Sequence, residues 1–342
     1  MKLTKSGLIA TLAIAALALS GCSLKSDTSS TGNESGSSST TDDATANADL
    51  TLEGKRIGIA VVGTDHDWDR MAYEGIQEVV GELGGESIAV SAERDGAKMI
   101  SNLENLITQK PDAIVSILGD AAALAPVFKK IEDAGIPLFT VDQASEHSIN
   151  NVTSDNFFIG STVARTLAED MGGKGKVVVF NGFKSVGVCQ IRYNMLVEVL
   201  KIYPNVEILQ PELQDVSANT VEDAKRKMTD ILNKYPEDEG IKAVWACWDV
   251  PMTGAAQAVD ESGREEVKVY GIDGDPTAID MIADPESSYT ATMAQQPHEI
   301  GKQSARNIAM YLAGDDIPGT TYFEPLLTNK SNWAEVKETL GL

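Results

Sequence analysis

Between residues 56 and 273 the sequence alternates short apolar runs, rich in β-branched residues, with stretches of helical spacing, a rhythm that few folds can satisfy. "IGIAVV" (57–62) precedes a helical pattern near 69–83, "SIAVSA" (87–92) one near 96–109, and "AIVSIL" (113–118) one near 121–134. "IPLFTV" (136–141) closes this set, and a helix after "NNVTSDN" runs to residue 171. The pattern restarts with "KVVVFN" (176–181), a helix near 190–202, "VEILQPEL", a helix near 218–234, "IKAVWAC", a helix near 252–262 and "VKVYGID". Continuous apolar runs mark strands covered on both faces, and the helices between them are the crossovers of a parallel sheet. Right-handed βαβ units then predict an α/β, doubly wound architecture. Two sets of roughly four or five strands are too many for one comfortable sheet, so two such domains are expected.

The N-terminus sets the address. "MKLTKSGLIATLAIAALALSGC" carries Lys2 and Lys5, an apolar stretch over 8–19 and small residues before Cys22. That is the layout of a secretory signal, too short for an ordinary membrane span. "LSGC" resembles a bacterial lipobox, which implies a signal peptide over 1–21, cleavage before Cys22, and lipidation of its sulfur. Residues 22–50 are Ser/Thr/Gly/Asp-rich with almost no large apolar side chain. They read as a flexible linker that holds the folded part away from a membrane surface. The expected location is therefore extracytoplasmic, lipid-anchored at the outer face of the cytoplasmic membrane.

No basic stripe for nucleic acid is visible in the sequence, and the formal net charge of −23 disfavours polyanionic substrates at long range. Loss of Lys2 and Lys5 with the leader makes the chain about −25. Beyond Cys22 two cysteines remain, Cys189 and Cys247. Two buried free thiols are favoured over a disulfide, because separation along the chain says nothing about distance in space. The histidines His66, His147 and His298 are scattered and no CxxC accompanies them, so no metal or other cofactor is expected.

In open parallel sheets, ligands sit beyond the carboxyl ends of the strands. The residues found there are "TDHDWDR" after the first run, Asp142 and Gln143 after the fourth, and "FNGFKSVGVCQIR" leading to Arg192. Trp248 and Asp249 follow "VWAC", Asp273 ends "YGID", and Gln295 follows "TATMA". Strand after strand ends in a carboxylate, amide, guanidinium or indole. Such a set suits a polyhydroxylated molecule: Asp accepts from hydroxyls, Arg donates in a planar fork, amides do both, and aromatic rings cover C–H faces.

With these residues in view, the folded part resembles the ribose/galactose-type (type I) extracytoplasmic sugar-binding lipoproteins of ABC transporters. The matching pieces, in order, are "IGIAVVG", "IPLFTVD", "NVTSDN", the Arg opening "RYNMLVEVL", "ACWDVPMTGAAQAV", "VYGIDGDP" and "ATMAQQPHEIG". The resemblance implies two domains, 51–153 with 297–322 and 155–294 with 324–342, joined by three hinge strands near 153–155, 294–297 and 322–325. It implies ligand contacts from His66, Trp68, Asp69, Asp142, Gln143, Arg192, Trp248, Asp273 and Gln295. The expected ligand is a monosaccharide or related polyol, and the expected partner is an ABC permease that takes it from a monomeric binding protein. Trp248-Asp249 stands where Asn-Asp is common, His66-Asp67-Trp68-Asp69 replaces an Asn-x-Phe-Phe-like loop, and Gln143 replaces a frequent Arg. The resemblance therefore does not single out ribose.

Rival readings follow from the same residues. Asp65, Asp67 and Asp69 have calcium-loop spacing, but Arg70 and Ile76 stand where that loop needs Gly and Glu. Asp69 serves equally as helix N-cap or ligand contact, and Asp249 before Val250-Pro251 reads as an N-cap first. Glycoside hydrolysis is set aside, since the acids are mixed with Arg and Gln in a layout suited to holding, and no enzyme is expected. A receptor that passes a sugar signal to a membrane sensor shares the same fold and site.

Overall fold

The computed structural model describes residues 50–236 and 240–342. The expected signal peptide, the lipidated Cys22 and nearly all of the 22–50 linker lie outside the described residues. The described residues build two six-stranded sheets with helices on both faces of each.

The first sheet contains β1 (Arg56–Val61), β2 (Glu86–Ser91), β3 (Ala113–Ile117), β4 (Leu138–Val141) and β5 (Asn150–Ser154), with α1 (Asp67–Glu82), α2 (Gly96–Gln109) and α3 (Ala121–Asp133) between them. The second contains β6 (Lys174–Phe180), β7 (Asn205–Ile208), β8 (Ile241–Ala246), β9 (Lys268–Asp273) and β10 (Tyr289–Ala294). Its helices are α4 (Asn156–Asp170), α5 (Gly187–Leu200), α6 (Thr220–Lys234), α7 (Asp249–Ser262) and α8 (Pro276–Ala283). The chain returns through α9 (Pro297–Ala313) to β11 (Thr320–Phe323) in the first sheet, then crosses again to β12 (Leu326–Asn329) and α10 (Trp333–Thr339). The strand orders are β11-β5-β4-β3-β1-β2 and β12-β10-β9-β8-β6-β7. All pairings are parallel except β12 against β10. The doubly wound α/β expectation is met twice in one chain.

The continuous apolar runs are explained by burial on both faces. Ile57, Ile59 and Val61 point toward α1 and α9, while Ala60 packs toward α2 and α3. This is the two-residue period of a strand serving two cores at once. The second sheet repeats it: Val178 and Phe180 face α6 and α7, and Val177 and Val179 face α4 and α5. Helices approach closely where they carry glycine. A Cβ on Gly301 of α9 would lie 2.1 Å from the Ala72 carbonyl oxygen of α1, and one on Gly254 of α7 would lie 2.0 Å from that of Val221 in α6.

The cysteine expectation is corrected. Cys189 of α5 and Cys247, just after β8, form a disulfide with Cα atoms 5.2 Å apart. The fold brings together residues 58 positions apart, and pairing depends on that approach rather than on spacing. Several helices also begin earlier than their apolar period suggests. α5 starts at Gly187 rather than near 190, and α7 at Asp249 rather than near 252.

Candidate ligand-binding site

Four strand ends that face the gap between the sheets hold residues at positive φ: Arg94 (60°), Leu118 (55°), Asp142 (50°) and Asp273 (132°). Side chains rarely adopt this region, at a cost of about 1–3 kcal/mol each, and such strain gathers at functional sites. All four residues line one cavity of about 290 Å³. His66, Trp68, Asp69 and Asp142 reach it from the first sheet; Arg192, Trp248 and Asp273 reach it from the second.

Arg192 is the pivot. Entering from the first turns of α5, it is almost wholly buried at 2% exposure. Its Nε–H donates to Asn156 Oδ1 at 2.7 Å, and Nη1–H donates to the Cys247 carbonyl at 2.8 Å and to Asp273 Oδ1 at 3.4 Å. Nη2 lies 3.9 Å from Asp142 Oδ2 and has no hydrogen-bond partner. One guanidinium therefore faces a carboxylate from each sheet. Burial pushes the Asp142 carboxyl above its usual range, against the pull of Arg192 and of the Thr153 hydroxyl that donates to it. Burial likewise lifts Asp273 to about 7, opposed by Arg192 and His66. Gln295 Nε2–H donates to Asp273 Oδ1 at 2.8 Å, while its own Oε1 stays without a partner.

His66 sits at the start of α1, where it precedes the first helical residue and makes no capping bond. Its burial disfavours the charged ring, but the Asp69 carboxylate, 3.8 Å away, and the Asp273 charge outweigh that and raise its pKa to about 9. At neutral pH His66 is a cation whose Nε2 is buried and unpartnered. Trp68 Nε1 is in the same condition. Aromatic edges close the opposite side, with the Trp248 ring 5.4 Å from His66 and 5.1 Å from Phe183. The Trp248 indole N–H donates to Asp215.

Hydrogen-bond donors without partners thus line a small cavity with partly apolar walls. The periplasmic binding protein domain matches residues 57–316 of this sequence. The chain belongs to that family. The ribose import binding protein of Bacillus subtilis is 28% identical over 267 residues, spanning 76% of this chain and 81% of that protein. The crystal structure of an ABC sugar transporter subunit from Rhodobacter sphaeroides is 50% identical, with a TM-score of 0.81 over 82% of this chain and 100% of its own. An ABC transporter solute binding protein from Agrobacterium vitis, with bound allitol, is also 50% identical, with a TM-score of 0.83 over 85% of this chain and 100% of its own. Periplasmic binding proteins of this type serve transport outside the cytoplasm, and their fold is the two-domain α/β form described above.

Within this binding-protein frame, the residues singled out in the sequence separate into three groups. His66, Trp68, Asp69, Asp142, Arg192, Trp248 and Asp273 line the cavity. Gln295 lines a neighbouring groove of about 610 Å³ that shares His66, Trp68 and Asp273 with it. Gln143 lines neither; its Oε1 accepts from the Ser116 hydroxyl at 3.0 Å and its N–H donates to Asn151, so it braces the β4 end. Asp69 does not cap α1; it pairs with Arg94, which also binds Asp65 at 2.9 Å. Asp67 turns to Arg70, so the three aspartates diverge onto arginines. Asp249 does not cap α7 either. It is fully buried and accepts from the Tyr289 and Thr292 hydroxyls and from the Gly274 and Asp275 N–H groups, which fixes the turn behind Asp273.

Sequence reasoning missed Arg94, Phe183 and the apolar lining of Met99, Leu118 and Leu124. Leu118 stands immediately beyond the third strand, as Asp142 does beyond the fourth, and Arg94 lies three residues past the second. Extending the strand-end reading to those two loops would have found them.

Proposed function

We propose that this chain captures a neutral monosaccharide or alditol of pentose to hexose size and hands it unchanged to an ABC permease. The observation that carries this reading is the set of buried, unpartnered polar atoms on cavity-lining side chains from both sheets: Arg192 Nη2 on one side, His66 Nε2 and Trp68 Nε1 on the other. Buried polar atoms are costly unless satisfied; all three are donors, and the hydroxyl oxygens of a sugar or alditol can accept from each of them. A cavity of about 290 Å³ is at the lower end for small-molecule sites, which suits a single sugar unit. Groups of both signs line it, His66, Arg94 and Arg192 standing among Asp69, Asp120, Asp142 and Asp273. Neither sign has the wall to itself, which favours a ligand without net charge. The half-identical relative with allitol bound supports an open-chain polyol as the first candidate.

In this reading the two lobes, 51–153 with 297–322 and 155–294 with 324–342, close over the ligand about the three crossings between the sheets. A ligand that touches both walls stabilises the closed form by its differential affinity for closed over open. The side chains hold the ligand and break none of its bonds. Cys22 carries the lipid that keeps the chain, as a monomer, on the membrane beside its permease.

Calorimetric titration of the full chain against pentoses, hexoses and alditols tests the proposal. At least one polyol is expected to bind, and Arg192→Ala and Asp142→Ala are each expected to weaken it tenfold or more, about 1.4 kcal/mol. Unchanged affinity in both variants removes the site. Cys22→Ala is expected to release the chain from the membrane fraction, and retention there removes the anchor.

A further inference from the structure

We infer that the Cys189–Cys247 disulfide is a positioning element of the ligand site, setting Arg192 and Trp248 where they meet the ligand. The inference rests on the proposed function for what the site holds. Cys189 and Arg192 are three residues apart on α5 and so project from one face of the helix. Cys189 is bonded to Cys247, and the backbone carbonyl of Cys247 accepts from Arg192 Nη1 at 2.8 Å. One face of α5 is therefore joined to one residue of the β8–α7 connection twice, by a covalent bond and by a hydrogen bond.

The other two acceptors of Arg192 are side chains, Asn156 and Asp273, held in place by hydrogen bonds with Thr153, Ser154 and Gln295. The Cys247 carbonyl is backbone, and it belongs to the residue that the disulfide clamps. With Nε and Nη1 engaged in this way, Nη2 is left directed to the cavity beside Asp142. The next residue along, Trp248, is set by the same clamp and by its bond to Asp215, and it presents its ring to His66. Cys189 itself lines the cavity, so the clamp lies against the ligand and not at the periphery. Recognition groups must be held to within about 0.5 Å to be effective, which a covalent tie at this point supplies.

The test compares the full chain with its Cys189→Ala/Cys247→Ala variant, each with and without Arg192→Lys, titrated with allitol under conditions where circular dichroism shows all four folded. The cysteine pair is expected to cost at least tenfold in affinity when Arg192 is kept. It is expected to cost less than threefold when Arg192→Lys is also present, because the positioned group has been changed. An equal cost in both backgrounds, or none in the first, overturns the inference and leaves the disulfide a purely structural link. A ligand-independent arm follows the Arg192 Nε–H resonance by nitrogen-edited NMR. It is expected to be single and protected from exchange in the parent and broadened or lost in the cysteine variant; an unchanged resonance overturns the inference. If the parent binds none of the polyols, the proposed function fails while the NMR arm still decides the positioning role. If the cysteine variant does not fold at all, the disulfide is structural and the inference falls.

Discussion

Replacing Arg192 with Met removes the cation between Asp142 and Asp273 while keeping an unbranched side chain of similar length. Burial already holds both carboxyls above their usual range, Asp273 at about 7, and Arg192 is the strongest influence pulling each of them down. Without it both rise further. An acid whose folded pKa exceeds its unfolded value near 3.9 contributes stability that is complete below that value and lost as pH rises through the folded pKa. The parent therefore loses stability through Asp273 between about pH 4 and 7, and the variant loses more, over a window that reaches higher. At pH 5, below the Asp273 pKa, the cost is mainly the unpaired Asn156 Oδ1 and Cys247 carbonyl, about 1–3 kcal/mol each. At pH 8 the same two groups are unpaired, and a buried carboxylate without its cation adds about 3–5 kcal/mol. Urea unfolding followed by circular dichroism at the two pH values measures both numbers, provided the denaturant slope is unchanged. A destabilisation equal at pH 5 and pH 8, or larger at pH 5, refutes the electrostatic account of the site.

Three further outcomes are expected. His66, with its pKa raised to about 9, contributes stability that is complete below about 6.5 and lost as pH rises through 9; His66→Gln should abolish this alkaline component, and an identical decline between pH 7 and 10 in both proteins would show that it does not come from this ring. Asp249→Ala leaves the Gly274 and Asp275 N–H groups and two hydroxyls without their acceptor, so thermal unfolding should report a loss of about 3 kcal/mol or more; a loss below about 1 kcal/mol contradicts its role as a buried hub. Gly301→Ala places a Cβ 2.1 Å from the Ala72 carbonyl oxygen and must part α1 from α9, at about 1–3 kcal/mol measured by urea midpoint; an unchanged midpoint means the helices yield at no cost.

The order of elements and the end of the sheets at which the site lies were both legible in the chain. β1, β3, β4, β6, β8 and β9 fall on continuous, mostly apolar runs because they are buried on both faces, whereas β2 and β7 are half-exposed edges and β5 is buried yet mostly polar. Asp142 and Trp248 reach the cavity because the chain leaves the sheet for a loop just past an apolar run, Asp273 because it ends its strand, and Arg192 from the following helix α5. The same logic put Gln143 with them; past Asp142 the chain turns, and the Gln143 Oε1 accepts from Ser116. Asp69 and Asp249 looked like caps because each stands at a helix start, yet their partners, Arg94 and the Gly274 N–H of the β9–α8 turn, are 25 residues away along the chain. β11, β12 and α10 were not delineated, being short and only partly buried, without a strong period.

By itself, then, the sequence determined two doubly wound sheets and a row of polar strand ends, since both follow from the local period of burial and from where it stops. Tertiary structure decided which of those ends share a cavity, that Cys189 and Cys247 are joined, and which atoms of Arg192, His66 and Trp68 remain unpaired. Those outcomes depend on contacts between residues tens to hundreds of positions apart. Local sequence carries no record of such distances; they exist only once the two sheets have packed.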